Sequence, residues 1–344
     1  MQACNGTTDG VAESMAWLAR RDGSVVVGHG PFESTCVMPA TATAFYRQDF
    51  ALNDPQPWKI PAALEVISKQ DFAARHASVP PLVCQWQPLD AVPFSAVFQE
   101  VMAAIHGGVF EKTVPVVAES AVCDVAAGAA IIAAMTRQPA PLCSFGWTNG
   151  ASGFAGATPE LLIALDGLHL ETMALAGTAK LDDREVFAVD AKEIREHEYV
   201  AQTLVAKLID LGRLSRQARE ILNLGSIVHF LTQLRVDLHQ AQSPDTLVKR
   251  LHPTPALGPL PRTDETLAML LGWRARLGCP ADFGAPFGVW NDGHFDAVVA
   301  IRGIWWHGKD IILPAGCGVI EDSRLVNEWR ELRLKREAVK CCLA

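Results

Sequence analysis

Apolar positions recur along this chain at two spacings. From Ser95, an N-cap residue type, Val97, Val101, Met102 and Ile105 follow the three-to-four-residue step of an amphipathic helix, which Gly107-Gly108 should end. A second stripe, Val200, Leu204 and Leu208, runs through a predicted helix at about 185–211 closed by Gly212. A third, Leu325, Trp329 and Leu332, marks a predicted helix at about 324–340. Elsewhere the step is two. Residues 109–117, 142–147 and 152–157 read as strands, and Asp166-Gly167 separates alternating runs at 160–165 and 168–174, a hairpin signal. Asn291-Asp292-Gly293 and His307-Gly308 bracket strands predicted at 295–306 and 310–315. The stretch at about 213–280 reads as helical with mixed loops, and 1–94 as short strands and loops interrupted by prolines. Residues 90–95 look like a hinge, which divides the chain into a weakly patterned 1–94 and a better defined 95–344.

Hairpin-joined strands with helices between them imply antiparallel pairing, so the class is α+β and not a doubly wound parallel sheet. Neither a G-x-G-x-x-G turn nor a P-loop is present, which argues against nucleotide chemistry. Lys plus Arg is 30 against 38 for Asp plus Glu, a net charge of −8 without a basic cluster, so no nucleic-acid partner is expected. An anionic small substrate would then need local cations or a metal. No run of eighteen apolar residues exists, and the first ten residues lack the basic and apolar regions of a signal peptide, so no membrane span or secretion is expected. Nine scattered cysteines without a C-x-x-C spacing fit reduced thiols in a cytoplasmic protein.

Several charged residues fall where the pattern expects a core. Lys112 shares a strand face with Phe110, Val114 and Val116. Burial there would lower its pKa and make it a usable base, whereas a different pairing would turn it to water. Glu196 continues the stripe of Val200 and Leu204, with Glu193 one turn earlier. Two inward carboxylates suit a hard divalent cation, and two outward ones would simply complement the helix dipole. Glu328, Glu331 and Lys335 have the spacing of an ordinary surface ion pair. Glu160 is either an edge residue in water or a carboxylic acid facing a cleft. Arg302 follows Ala-Val-Val-Ala-Ile and is either a bidentate carboxylate clamp or an outward residue of a half-exposed strand.

Five blocks in this order resemble the chorismate-utilising enzymes, and within them the isochorismate synthases. They are Gly156-Ala-Thr-Pro-Glu-Leu-Leu162, Ala174-Leu-Ala-Gly-Thr178, Lys192-Glu-Ile-Arg-Glu-His197, Leu251-His-Pro-Thr-Pro-Ala-Leu-Gly258 with Pro261-Arg262, and a C-terminal set. That set is Ile301-Arg302, Gly316-Cys-Gly318 and Glu328-Trp-Arg-Glu331 with Lys335. The resemblance implies an anthranilate synthase component I-like chorismate-binding fold of two antiparallel sheets flanked by helices. It implies Mg²⁺ as cofactor and chorismate as substrate. It makes Lys112 the base and Glu160 the general acid, and Glu196 and Glu331 metal ligands with Glu193 and Glu328 beside them. Arg302, Lys335 and the backbone of Gly318 would receive substrate carboxylates, and Gly177, Thr178 and His252 would line the ring site. Ala256 and Leu257 put apolar side chains where ammonia users commonly carry a hydroxyl. Water is therefore the expected nucleophile, isochorismate the expected product, and no glutaminase subunit is expected. Salicylate synthases share the catalytic set, and a monomer is expected. Val117, Pro115, His294, Cys317 and Leu332 depart from the family pattern.

Overall fold

The computed structural model describes residues 14–343, so the reading of the first ten residues lies outside the described part. The chain opens with β1 (Met15–Ala19), β2 (Ser24–Thr35), β3 (Ala44–Arg47), β4 (Trp58–Ser68), a short helix α1 (Lys69–Arg75) and β5 (Cys84–Trp86). Then come α2 (Ala91–His106), β6 (Val116–Cys123), α3 (Gly128–Thr136), β7 (Cys143–Asn149), β8 (Ser152–Thr158), β9 (Leu161–Asp166) and β10 (His169–Lys180). A one-turn helix α4 (Arg184–Phe187) leads to α5 (Ala191–Leu208), β11 (Gly212–Arg216), β12 (Glu220–Asn223), β13 (Ile227–Leu238), α6 (Pro244–Leu251) and α7 (Asp264–Arg276). β14 (Pro286–Asn291), β15 (His294–Val299), β16 (Gly303–His307), β17 (Asp310–Gly316) and α8 (Leu325–Lys340) follow.

All the strand pairings are antiparallel, as the hairpin signals require. They trace one path: β5, β6, β17, β16, β8, β7, β1, β2, β4, β3, β14, β15, β9, β10 and β13, with β11 and β12 both on β13. The expectation of two sheets is corrected in this respect. The N-terminal strands β1–β4 are the middle of the path and hydrogen-bond what would otherwise be two sheets into one. The path folds over, so its halves face each other across an aromatic core. Phe145 of β7 and Phe154 of β8 meet Phe287 of β14 at ring separations of 5.8 and 5.7 Å, and Phe45 of β3 lies 6.2 Å from Phe287. A buried phenylalanine stabilises by about 1.5–3 kcal/mol through lost apolar hydration.

Five elements differ from the sequence expectation, each for a local reason. The proposed hinge at 90–95 is the first turn of α2, capped by the Asp90 side chain on Val92 N, with Pro93 where a missing N–H is harmless. The division at residue 94 therefore falls inside a helix. The strand expected at 109–117 begins only at Val116; Pro115 cannot donate to a ladder, and Lys112 and Thr113 make single bridges to Leu260 and Val319. The stretch read as helical from 213 opens with three strands; the first half of β13 is buried on both faces, and that run hides the period of two that its second half shows. The strand expected at 295–306 breaks between β15 and β16, where Arg302 adopts φ 57°. The helix expected at 185–211 likewise divides into α4 and α5, with Asp190 accepting from Lys192 N and Glu193 N. No helix among the described residues is long and apolar enough to cross a membrane.

Phe287→Ala should therefore loosen both halves of the sheet at once. We expect a loss of about 3–5 kcal/mol of unfolding free energy, read from urea denaturation, with an unchanged midpoint as the contrary result.

Candidate active site

The break at Arg302, the end of β17, the register shift of β10 against β13 between Ala176 and Ala179 and the inward faces of α5 and α8 converge on one cleft. It is a partly open cleft whose free space, counted out into solvent, is about 630 Å³, and it is lined by Glu160, Gly177, Thr178, Ala256, Leu257 and Arg302, among others. Glu196, His229, Gly318 and Lys335 complete its polar wall. Glu160 enters from the start of β9, where Thr158 Oγ1 accepts its backbone N–H at 3.2 Å. Arg302 holds a left-handed backbone that a bulky residue adopts only under tertiary constraint. Gly318 is needed for space: a Cβ there would press on the Glu196 carboxylate and lie 2.9 Å from Lys112 Cε.

Lys112 stands behind Glu196 and does not line the cleft. It is fully buried, with Nζ donating to Pro255 O at 2.5 Å and 3.3 Å from Glu196 Oε1. The loop after α6 makes this contact available, since Leu257 N and Gly258 N both donate to Thr254 O and leave the Pro255 carbonyl free. Burial lowers the pKa of Lys112, against the pull of Glu196. Burial pushes Glu160 up to about 7, although Lys112, Lys335 and Arg302 pull the other way. Glu196 is also buried, but the ammoniums of Lys192, Lys112 and Lys335 outweigh burial and hold its carboxyl at about 2.

Helices α5 and α8 bring four carboxylates together beside the cleft. Glu196 on α5 and Glu328 and Glu331 on α8 are buried, and Glu193 is half-buried. Lys335 Nζ lies 2.5 Å from Glu331 and donates to Gly316 O at 2.8 Å, so the expected surface pair is an interior one. Glu193 accepts from Thr178 N at 2.9 Å. Burial and the neighbouring Glu196 push Glu193 up to about 7, and burial pushes Glu328 up to about 8 despite Lys192. Both Glu328 oxygens are buried and receive no hydrogen bond. Among the described residues no three His, Cys, Asp or Glu side chains are spaced to hold a metal as they stand.

The histidine on the cleft wall is not the expected His252. His252 does not line the cleft; its Nε2 donates to Phe50 O at 2.9 Å and anchors the loop that reaches Lys112. His229 of β13 does line it and was missed, because a histidine inside a continuous buried strand gives no alternation by which to place it. Arg302 Nη2 has only protons to give, so it donates to His229 Nε2 at 2.7 Å, and Nδ1 must carry the proton donated to Gly177 O at 2.6 Å. Burial and the adjacent Arg302 keep this imidazole neutral, well below its ordinary pKa. Among the departures, Val117, Cys317 and Leu332 are buried packing residues, while His294 pairs with Asp166 at an exposed hairpin end.

The family model described as chorismate binding enzyme matches residues 55–344. The chain belongs to this family. Among curated relatives, the isochorismate synthase MenF of Bacillus subtilis is 31% identical over 200 residues, 53% of this chain and 40% of that protein. The salicylate biosynthesis isochorismate synthase of Pseudomonas aeruginosa is 30% identical over 232 residues, 62% of this chain and 47% of that protein. The chain thus matches less than half the length of these two relatives. The structure of MenF, the menaquinone-specific isochorismate synthase from Escherichia coli, superposes with a TM-score of 0.79 at 20% identity, covering 96% of this chain and 89% of that one. Anthranilate synthase component I from Streptococcus pneumoniae superposes at 0.67 with 11% identity, covering 98% and 94%. The chorismate-binding fold is therefore shared along nearly the whole chain.

The buried acid of this family member makes a stability prediction. Glu160 ionises near 4.5 when unfolded and near 7 when folded. The folded state keeps the proton between those values, so Glu160 erodes stability as pH rises through that window. Glu160→Gln should melt higher than the wild type at about pH 8 and close to it at about pH 4. Equal melting temperatures at both pH values would show that Glu160 is not buried as described.

Proposed function

We propose that this chain isomerises chorismate to isochorismate, with water attacking ring C2 and the C4 hydroxyl departing. The observation that carries this reading is the grouping of Glu160, Arg302 and Lys335 on one cleft, with Lys112 directly behind Gly318 and Glu196. Chorismate has two carboxylates, and Arg302 and Lys335 supply cations for them in a protein of net charge −8. The names of the relatives, isochorismate synthases from several bacteria, support the same choice.

Lys112 stands behind Glu196 and off the cleft wall, so, once deprotonated, it would accept the proton of the attacking water through one intervening water. Glu160, protonated near neutrality, would give its proton to the departing hydroxyl, which leaves as water. A base pushed down and an acid pushed up by one buried environment meet the requirement for proton transfer near neutral pH. Ala256 and Leu257 leave that wall of the cleft without a hydroxyl, which favours water over a routed amine. We take the chain to act without a glutaminase subunit.

The carboxylate cluster fits Mg²⁺. Its donors are all hard oxygens, they come from two helices, and both buried Glu328 oxygens lack a hydrogen bond although Lys192 Nζ lies 3.3 Å from one of them. Glu196 and Glu331 would hold the ion, with Glu193 and Glu328 beside them. Bound there, Mg²⁺ would supply positive charge for a substrate carboxylate.

Incubation of purified protein with chorismate and Mg²⁺, followed by chromatographic identification of the product, tests the reading. Isochorismate is expected. Salicylate with pyruvate, or an amino product in the presence of ammonia, would reassign the reaction, and no consumption from neutral to alkaline pH would overturn it. Lys112→Ala and Glu160→Ala should each lower kcat by about 10²–10⁴-fold while changing KM far less. The double variant should lose less than the product of the two, since both protons move in one displacement. A Lys112→Ala enzyme of near-normal kcat would move the base elsewhere.

A further inference from the structure

Lys192 has no role in the reaction described above, yet it occupies the centre of the carboxylate cluster. It lies on the first turn of α5, one helical turn before Glu196. Its Nζ is 2.9 Å from Glu193 Oε1, 3.2 Å from Glu196 Oε2 and 3.3 Å from Glu328 Oε1. One ammonium therefore joins carboxylates of both helices. Four carboxylates taken out of water at this spacing would repel one another strongly without a cation between them. The fit is incomplete: Glu328 stands within ion-pair range of the ammonium but accepts no hydrogen bond from it.

We propose that Lys192 is a built-in counter-cation that stabilises the metal-free cluster and must withdraw when a divalent cation enters. This rests on the assignment of Mg²⁺ to the same carboxylates. An ammonium and a divalent ion cannot share one set of oxygens, because their mutual repulsion would replace the attraction each has for the carboxylates. The side chain has somewhere to go. A second cavity beside the cluster is lined by Lys192, Glu193, Glu328 and Glu331, and also by Asp183 and Asp190. A flexible four-carbon stem can carry the ammonium from the cluster toward those aspartates while α5 stays in place. Lys192 thereby weakens metal affinity in the resting protein and keeps the two acidic helices packed when no metal is present.

Two measurements with Mg²⁺ alone, without substrate, test this. Calorimetry should show Lys192→Met binding Mg²⁺ at least about tenfold more tightly than the wild type, and the metal-free variant should melt lower. In the wild type, acetylation of Lys192 by an N-hydroxysuccinimide ester, read by peptide mass spectrometry, should rise several-fold at saturating Mg²⁺. Buried Lys112 serves as the unreactive reference. Unchanged Lys192 acetylation at a Mg²⁺ concentration that calorimetry shows to be saturating would overturn the displacement and leave the metal assignment standing. Equal or weaker binding by a folded Lys192→Met would do the same. No Mg²⁺ binding to either protein would overturn the metal assignment and the displacement together.

Discussion

Charge withdrawn from water between α5 and α8 is the constraint on which the rest of this structure depends. Four carboxylates and three ammoniums share a small volume, and each would be costly to bury alone. They are tolerable only as a set, with every cation facing at least one anion. This explains why so many distant segments are held to narrow positions. Pro255 O must meet Lys112, Gly316 O must meet Lys335, and Gly318 must lack a side chain so that Glu196 can reach Lys112.

The continuous sheet supplies that positional control. β17 carries the Gly316 end of the turn and pairs along its length with β6. Helix α8, which bears Glu328, Glu331 and Lys335, is tied to β6 by a second buried network. Arg336 Nε donates to Glu119 Oε2 at 2.9 Å and Lys340 Nζ to Glu119 Oε1 at 2.6 Å. The carboxylate-bearing helix α8 and the Gly316–Gly318 turn are thus referenced to one strand. The N-terminal strands, which carry no site residue, hydrogen-bond the two halves of the sheet into one frame.

Much of the site was legible in the sequence because its chemistry is written in misplaced charge. Glu196 stands on an apolar helical stripe, and Lys112 beside Phe110 and Val114 is as buried as they are. Pattern alone allowed solvent-facing alternatives for each, and only the ordered family blocks favoured the interior. The remainder was hidden for identifiable reasons. The first half of β13, Ile227 to Thr232, is buried on both faces, so His229 was not visible there. Lys112 belongs to a bridging segment whose partners, Leu260 and Val319, are distant in sequence. The role of His252 depends on Phe50, some two hundred residues away. Lys192 entered only as the first residue of a family block, because its contact with Glu328 exists only when α5 and α8 pack.

The central claim is that these carboxylates form a divalent-cation site at the wall of a chorismate cleft. Anomalous diffraction from crystals grown with Mn²⁺ in place of Mg²⁺ tests it most directly, because Mn²⁺ accepts the same oxygen ligands and is visible by itself. The account predicts a peak bridging Glu196 of α5 and Glu331 of α8. A well-ordered crystal with Mn²⁺ bound elsewhere, and none between those two side chains, would contradict it.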